Sequence, residues 1–319
     1  MASRFYSLKA QCKFMRIVSL LPSSTEIVYE LGLGSDLVGV SHDCDYPPEV
    51  TKKICLTSID IDPAKTSSAA VNQWVAGEVH SGTSIYHIDP DALKRANPDL
   101  VLTQELCEVC APSFSEVKSA CKILDGDRKI ISLEPTCIED ILDSILTIGQ
   151  ATGTEEKAEQ LVGSLRSRIG KIEEMVSNVS SRPEVACLEW LDPIFSAGHW
   201  VPEMVSKAGG VDRLTQPSQP SIRIDWDRIL NYDPEMLILM PCGFNLERTV
   251  QDSGSIRRYN GWQRLRAIQN HQVFAVNGTA YFNRPGPRIV DGIAVLAEIL
   301  HPGSVQGIAP ADSYKRIDL

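Results

Sequence analysis

Arg16-Ile-Val-Ser-Leu20 runs through Leu21-Pro22-Ser23-Ser24-Thr25-Glu26, and Leu37-Val-Gly-Val-Ser41 follows shortly after. The first stretch is short and apolar, as a strand buried on both faces must be. Ser23 or Ser24 can cap a helix whose apolar positions are Ile27, Val28 and Leu31, and Gly32 and Gly34 then stop it. Residues 37–41 read as a second strand, which runs directly into His42-Asp43-Cys44-Asp45-Tyr46-Pro47-Pro48. Strand, helix and strand in immediate succession are the opening of an α/β unit with parallel strands.

The pattern continues outward. Residues 89–97 read as a short helix broken by Pro98, and 99–103 as a strand running into Gln104-Glu105-Leu106-Cys107-Glu108-Val109-Cys110. A helix at 115–124 and a strand at 129–133 follow. The middle is different. Residues 138–150 are apolar at helical spacing, and Thr154 precedes a longer pattern through Ala158, Leu161, Leu165, Ile169, Ile172 and Val176. As a helix, 154–179 would span roughly 38 Å, enough to cross between two lobes. The alternative is one flank of a single domain.

After Pro183 the alternation restarts. Strands are expected at 184–188, 236–240 and 272–276, with helices opening at Gly198-His199-Trp200, over 225–230 and over 288–300. Asn97-Pro-Asp-Leu-Val-Leu102 resembles Asp233-Pro-Glu-Met-Leu-Ile-Leu239: a polar residue, a proline, an acid and an apolar strand. The halves read as two copies of one design.

The 319 residues are 43% hydrophobic and 23% charged, as in an ordinary folded protein, with a net charge of −10. That charge disfavours nucleic acid and anionic membrane as partners. No run of apolar residues is long enough for a transmembrane helix. An odd count of nine cysteines in a chain of this size speaks against a disulfide framework. Together with the absence of a secretory signal in residues 1–15, it leads to an expected cytoplasmic location, with an organelle transit segment as the alternative.

Ligands of open α/β sheets bind beyond the carboxyl ends of the strands. The distinctive side chains fall there: His42, Asp43 and Cys44 after the second strand, Cys107, Glu108 and Cys110 after the third. Glu189 and Trp190 follow the first strand of the second half, and Cys242 and Phe244 the next. His199, Trp200, Tyr281, Asn283 and Arg284 stand at expected helix starts and loops. His42, Cys44, Cys107, Cys110, Glu189, His199, Cys242 and Arg284 are expected to converge in one pocket. Thiolates and imidazoles suit zinc or another soft metal, with Cys44, Cys107, Cys110 and Cys242 as candidate ligands. The alternatives are buried thiols that pack as small apolar groups, core packing for Trp190 and Trp200, and capping for His199 and Arg284. G-x-S-x-G, G-x-x-x-x-G-K-[ST] and H-E-x-x-H are absent, and no catalytic residue is assigned.

The opening motif with Leu31-Gly-Leu-Gly34 and Leu37-Val-Gly-Val40 resembles the start of class III periplasmic-type substrate-binding proteins. These are the receptors of ABC importers for cobalamin, haem and iron chelates. The motifs at His42–Glu49, Cys107–Cys110, Cys187–Pro193, Gly198–Pro202, Met240–Phe244 and Tyr281–Pro287 resemble the cobalamin-binding-protein-like subgroup. The resemblance implies α/β architecture in two lobes, with mostly parallel sheets bridged by one long helix. The expected parts are an N-terminal lobe at 16–135, bridging helices at 136–181, a C-terminal lobe at 182–283 and a helix packing back at 284–302. Residues 1–15 and 303–319 are expected as extensions. The resemblance further implies a monomeric, non-enzymatic binding protein for a cobalamin-like metal chelate or a metal ion. The alternative is a cytosolic enzyme with a thiolate and histidine metal site in the same cleft. Because an export signal is missing and nine cysteines suit a reducing compartment, the transport role, and with it the transporter partner, is expected to be lost or altered.

Overall fold

The computed structural model describes residues 14–63, 65–81, 85–104, 114–124 and 126–319. The first half runs β1 (Ile17–Ser19), α1 (Pro22–Glu30), β2 (Leu37–Val40), β3 (Ile54–Cys55), β4 (Thr57–Ser58), α2 (Ser68–Ser81), β5 (His87–Ile88), α3 (Pro90–Ala96), β6 (Leu100–Thr103), α4 (Phe114–Cys121) and β7 (Lys129–Ser132). Its main sheet has the order β3-β2-β1-β6-β7, every pair parallel. The chain leaves β1 towards β2 on one side and returns to β6 on the other. The strand order therefore reverses at β1/β6, the position where such sheets open a crevice. β4 and β5 form a separate antiparallel pair.

Pro22 occupies the first turn of α1, where its fixed φ and missing N–H cost nothing, and Leu21 takes the cap position without a side-chain bond. Ser23 and Ser24 are thus inside the helix and do not cap it. The Ser24 hydroxyl pairs with Ser19 Oγ at 2.6 Å, tying the helix start to the end of β1.

α5 (Ile138–Thr152) and α6 (Glu155–Val176) come next. The 22 residues of α6 are about 33 Å long. Ala158, Val162, Leu165, Ile169, Ile172 and Val176 form its buried stripe. Near its start, Lys157 Nζ donates to Leu31 O at 3.1 Å in the first half. Near its end, Glu173 pairs with Lys207 in the second. One helix thus packs on both lobes, and one apolar cluster runs from Ile17 and Leu37 through α6 to Val185, Ile238 and Val276. Each fully buried aliphatic side chain there contributes about 1.5–3 kcal/mol.

The second half runs β8 (Glu184–Leu191), β9 (Ile194–Ser196), α7 (Val201–Lys207), β10 (Val211–Asp212), β11 (Ile222–Arg223), α8 (Trp226–Tyr232), β12 (Met236–Leu239), α9 (Leu246–Asp252), α10 (Arg266–Gln269), β13 (Val273–Val276), α11 (Gly278–Tyr281), α12 (Ile289–Leu300) and β14 (Tyr314–Arg316). β10, β12 and β13 continue the parallel design around β8. β9, β11 and β14 add antiparallel pairs, so this sheet is mixed. Residues 303–319 are more than an extension, since they supply the edge strand β14.

The repeated Asn97/Asp233 motif has a common structural cause. Each polar residue ends its helix in the left-handed conformation, with φ of 38° and 45°. Each acid then accepts a backbone N–H from the neighbouring strand: Asp99 from Arg16 at 3.0 Å, Glu235 from Glu184 at 3.3 Å.

Candidate ligand-binding site

A cavity of about 520 Å³ is lined from both halves. Leu21, Pro22, Ser23 and Gln104 come from the ends of β1 and β6, at the reversal of strand order. Glu189 and Trp190 come from β8, Cys242 and Gly243 follow β12, and Thr279, Asn283 and Arg284 follow β13. Both sheets aim their carboxyl ends at the same space, so sites far apart in sequence meet there.

β8 pairs irregularly with β9 between Leu188 and Trp190, which leaves Glu189 at the irregularity. The Glu189 carboxylate accepts from the Ser221 hydroxyl and the Gly198 N–H, but burial outweighs both and pushes the carboxyl above its usual range. Trp190 is held by its indole N–H, which donates to Asp192 O at 3.1 Å, and by Phe244 at 5.3 Å between ring centroids. His42 is pinned by Thr57: its backbone N–H donates to Thr57 Oγ1 at 3.0 Å, and ring Nδ1 lies 2.8 Å from the same oxygen. Its Nε2 has no hydrogen-bond partner, and the ring lies 5.7 Å from that of Tyr86. Arg284 donates to the Asp45 carboxylate and, at 2.9 Å, to Asp43 O.

His42, Asp43, Glu189, Trp190, Cys242, Asn283 and Arg284 therefore line the cavity. Other expected residues do not. Cys44 is 5% exposed and packs between Thr25 Oγ1 at 3.1 Å and Ser41 Oγ at 3.3 Å, and burial pushes its thiol up, away from the thiolate a metal needs. Trp200 is turned into the core, where its indole N–H donates to Phe282 O at 2.7 Å. Phe244 is buried behind Trp190, with the Arg248 guanidinium 4.5 Å from its ring. His199, at φ 53°, belongs to a turn in which its N–H donates to Gln219 O; burial lowers its pKa. Tyr281 packs beside Arg288. Cys107, Glu108 and Cys110 lie outside the described residues.

Of the expected metal ligands, Cys107 and Cys110 lie outside the described residues, and Cys44 and Cys242 do not meet. Among the described residues no group of three His, Cys, Asp or Glu could hold a metal ion. Zinc has no support, because Cys44 faces hydroxyls in the core while Cys242 sits on the cavity wall of the other half.

Within residues 57–88 the sequence pattern marks His80 and His87 only as surface residues and no part of the site. That segment contributes Ile59, Ile61, Val71, Trp74, Val75 and Tyr86 to the wall. The signal was present: Val71, Trp74 and Val75 stand at the i, i+3, i+4 spacing of one helical face. Phe195 and Ser221 carried no such pattern, since they reach the cavity through the antiparallel turns of β9 and β11.

Residues 17–279 match the family described as periplasmic binding protein. A substrate-binding lipoprotein of an ABC transporter from Bacillus subtilis, YvrC, is 26% identical over 293 residues, covering 90% of this chain and 80% of that protein. The vitamin B12-binding protein of Vibrio cholerae is 24% identical over 280 residues, covering 87% and 86%. Among solved structures, a periplasmic heme-binding protein from Pseudomonas aeruginosa superposes with a TM-score of 0.68 at 17% identity, covering 91% and 94%.

These relatives overturn the cytoplasmic expectation, because the family is periplasmic and the Bacillus relative is a lipoprotein. They also run against the expected loss or alteration of the transport role. The cysteines misled for a physical reason. Cys44, Cys121 and Cys187 are free thiols buried as small apolar groups, and such packing carries no information about the compartment. No helix among the described residues is long and apolar enough to cross a membrane. With two α/β lobes bridged by α6 and a family match over most of its length, the chain belongs to the periplasmic binding protein family and is a binding protein, not an enzyme.

Proposed function

We propose that this protein captures a metal chelate with a flat, apolar body in the cavity between its lobes and delivers it to an ABC importer outside the cytoplasm. One observation carries the reading: aromatic side chains face the same space from both halves, Trp74 and Tyr86 from one and Trp190 and Phe195 from the other. Apolar walls with a few placed polar groups favour a flat ring system over a hydrated ion. The names of the relatives, one for vitamin B12 and one for heme, agree with a metal macrocycle as the ligand class.

In this reading Trp190 is the main stacking surface, fixed by Phe244 and Asp192, and His42 and Glu189 are the polar groups that orient the ligand. Binding and release follow from relative movement of the lobes about α6. Titration of the purified protein with cyanocobalamin and with haemin, followed by visible absorbance, tests it. A saturable one-to-one shift with at least one chelate is expected, weakened tenfold or more by Trp190→Ala. Absence of binding by both at millimolar protein and ligand would overturn it.

A further inference from the structure

The charge of the cavity wall narrows the ligand further, and this step rests on the chelate reading above. Asp43, Asp45 and Glu189 line the cavity, and among the described residues Arg284 is the one lysine or arginine that does so. Arg284 is already committed: its guanidinium is bonded to the Asp45 carboxylate and to Asp43 O, and Glu26 Oε1 is 3.8 Å away. The next arginine, Arg288, is paired with Glu26 through two hydrogen bonds. Among the described residues Glu189 has no cationic partner. Its contacts are the Ser221 hydroxyl and the Gly198 N–H. The wall thus carries surplus negative charge and surplus acceptors: Asp43 and Asp45 stand at its solvent-exposed side, and Glu189 is buried where water screens it little.

Neutral hydrogen-bond capacity points the same way. Asn283 uses its amide NH₂ on Met240 O at 3.4 Å, and its Oδ1 is left without a partner in the wall. Thr279 Oγ1 is also unpartnered, and as a hydroxyl it can serve either a donor or an acceptor, so the donor preference rests on Asn283 and Glu189. Unmet acceptors are costly when buried, and a ligand that donates N–H groups removes that cost. A ligand rimmed with carboxylates would meet Glu189 with no free cation nearby.

We propose that the cavity selects a neutral or cationic ligand whose rim carries N–H donors, primary amides or an ammonium, and excludes carboxylate-rimmed ligands, with Glu189 reading the donor. Glu189 keeps the ligand's N–H in place as an acceptor, and Ser221 and Gly198 hold the carboxyl against rotation.

A matched pair of probes tests this: dicyanocobyrinic acid heptaamide and dicyanocobyrinic acid share ring and metal and differ only in amide or carboxylate rim. Equilibrium dialysis of wild type should show the amide bound at least a hundredfold more tightly. Glu189→Gln, of nearly the same shape, should shrink that ratio at least tenfold with an unchanged thermal midpoint. Equal binding of the two corrins, or a ratio that Glu189→Gln leaves unchanged, overturns the proposal. If the variant does not fold, the wild-type ratio alone decides.

A second arm keeps this separate from the chelate reading. 1-Naphthylmethylamine and 1-naphthoate carry no metal, and tryptophan fluorescence reports their binding. If neither the corrins nor haemin binds but the amine is preferred tenfold or more, the chelate reading falls and the donor rule stands. If naphthoate binds as well as the amine, the donor rule falls whatever the chelates do.

Discussion

Arg288 donates from both Nε and Nη2 to the two carboxylate oxygens of Glu26, 262 positions away in the chain. Glu26 lies in α1 of the first lobe and Arg288 immediately before α12, which packs on the second. The pair clasps the lobes beside the cavity, and Arg284 with Asp45 extends the clasp. A second clasp stands apart from it, where Ser68 Oγ donates to Asp252 at 3.1 Å and Arg248 to Thr66 O at 2.9 Å.

Glu26 is 3% exposed, and burial raises its pKa despite the guanidinium. Removing one partner of such a pair strands the other. Arg288→Ala is therefore expected to lower the unfolding free energy by about 3–5 kcal/mol. Urea denaturation followed by far-UV circular dichroism reads the change; a loss under about 1 kcal/mol would mean that the clasp holds little.

Gly198 is expected to be intolerant of even one methyl group. A Cβ there would stand 2.3 Å from Ser221 N and 2.5 Å from Pro220 C, both backbone atoms that cannot swing away. Gly198→Ala must displace the segment that carries Ser221 and with it the Glu189 carboxyl. Expected are a stability loss of about 1–3 kcal/mol and a drop in ligand affinity of tenfold or more, read by calorimetry and titration.

Trp200→Phe separates core from site. The change deletes the indole donor to Phe282 O, leaves a buried carbonyl unpaired and should cost about 1–3 kcal/mol. Because the ring does not reach the cavity, ligand affinity should stay within twofold. A large affinity loss with unchanged stability would contradict this placement.

Asp212 sets a pH dependence. Burial raises its carboxyl from 3.8 to about 6, against the Leu214 and Cys187 N–H groups, which favour the charged form. The folded state therefore binds this proton more tightly than the unfolded chain does. Stability from Asp212 is full below about pH 4, falls as pH rises towards 6 and is gone above it, by about 3 kcal/mol at most. Asp212→Asn should flatten that part of the pH profile, as chemical denaturation between pH 4 and 7 would reveal.

Most of the fold was legible in residues 16–41 and in the spacing along 154–179. Apolar runs of strand length, proline at a helix start and a 3.6-residue stripe are local properties, and the structure keeps them as β1, α1, β2 and α6. The mixed second sheet was not legible, because β9, β11 and β14 are two or three residues long and exist only through their pairing partners. The site divides in the same way. His42, Glu189, Trp190 and Arg284 stand at strand ends or loops that the alternation of elements already marks, so the topology alone carries them to one crevice.

What the sequence determined by itself was the succession of elements and the strand ends at which chemistry can occur, since both depend on neighbours within a few residues. Only the tertiary structure decided which side chains reach the cavity. Cys44 and Trp200 occupy positions as suggestive as those of His42 and Trp190, yet they turn inward, Cys44 to the hydroxyls of Thr25 and Ser41 and Trp200 to the carbonyl of Phe282. A side chain at a strand end can point to either surface, and which one it takes depends on the partner that satisfies its polar atom, a partner contributed by a distant part of the chain.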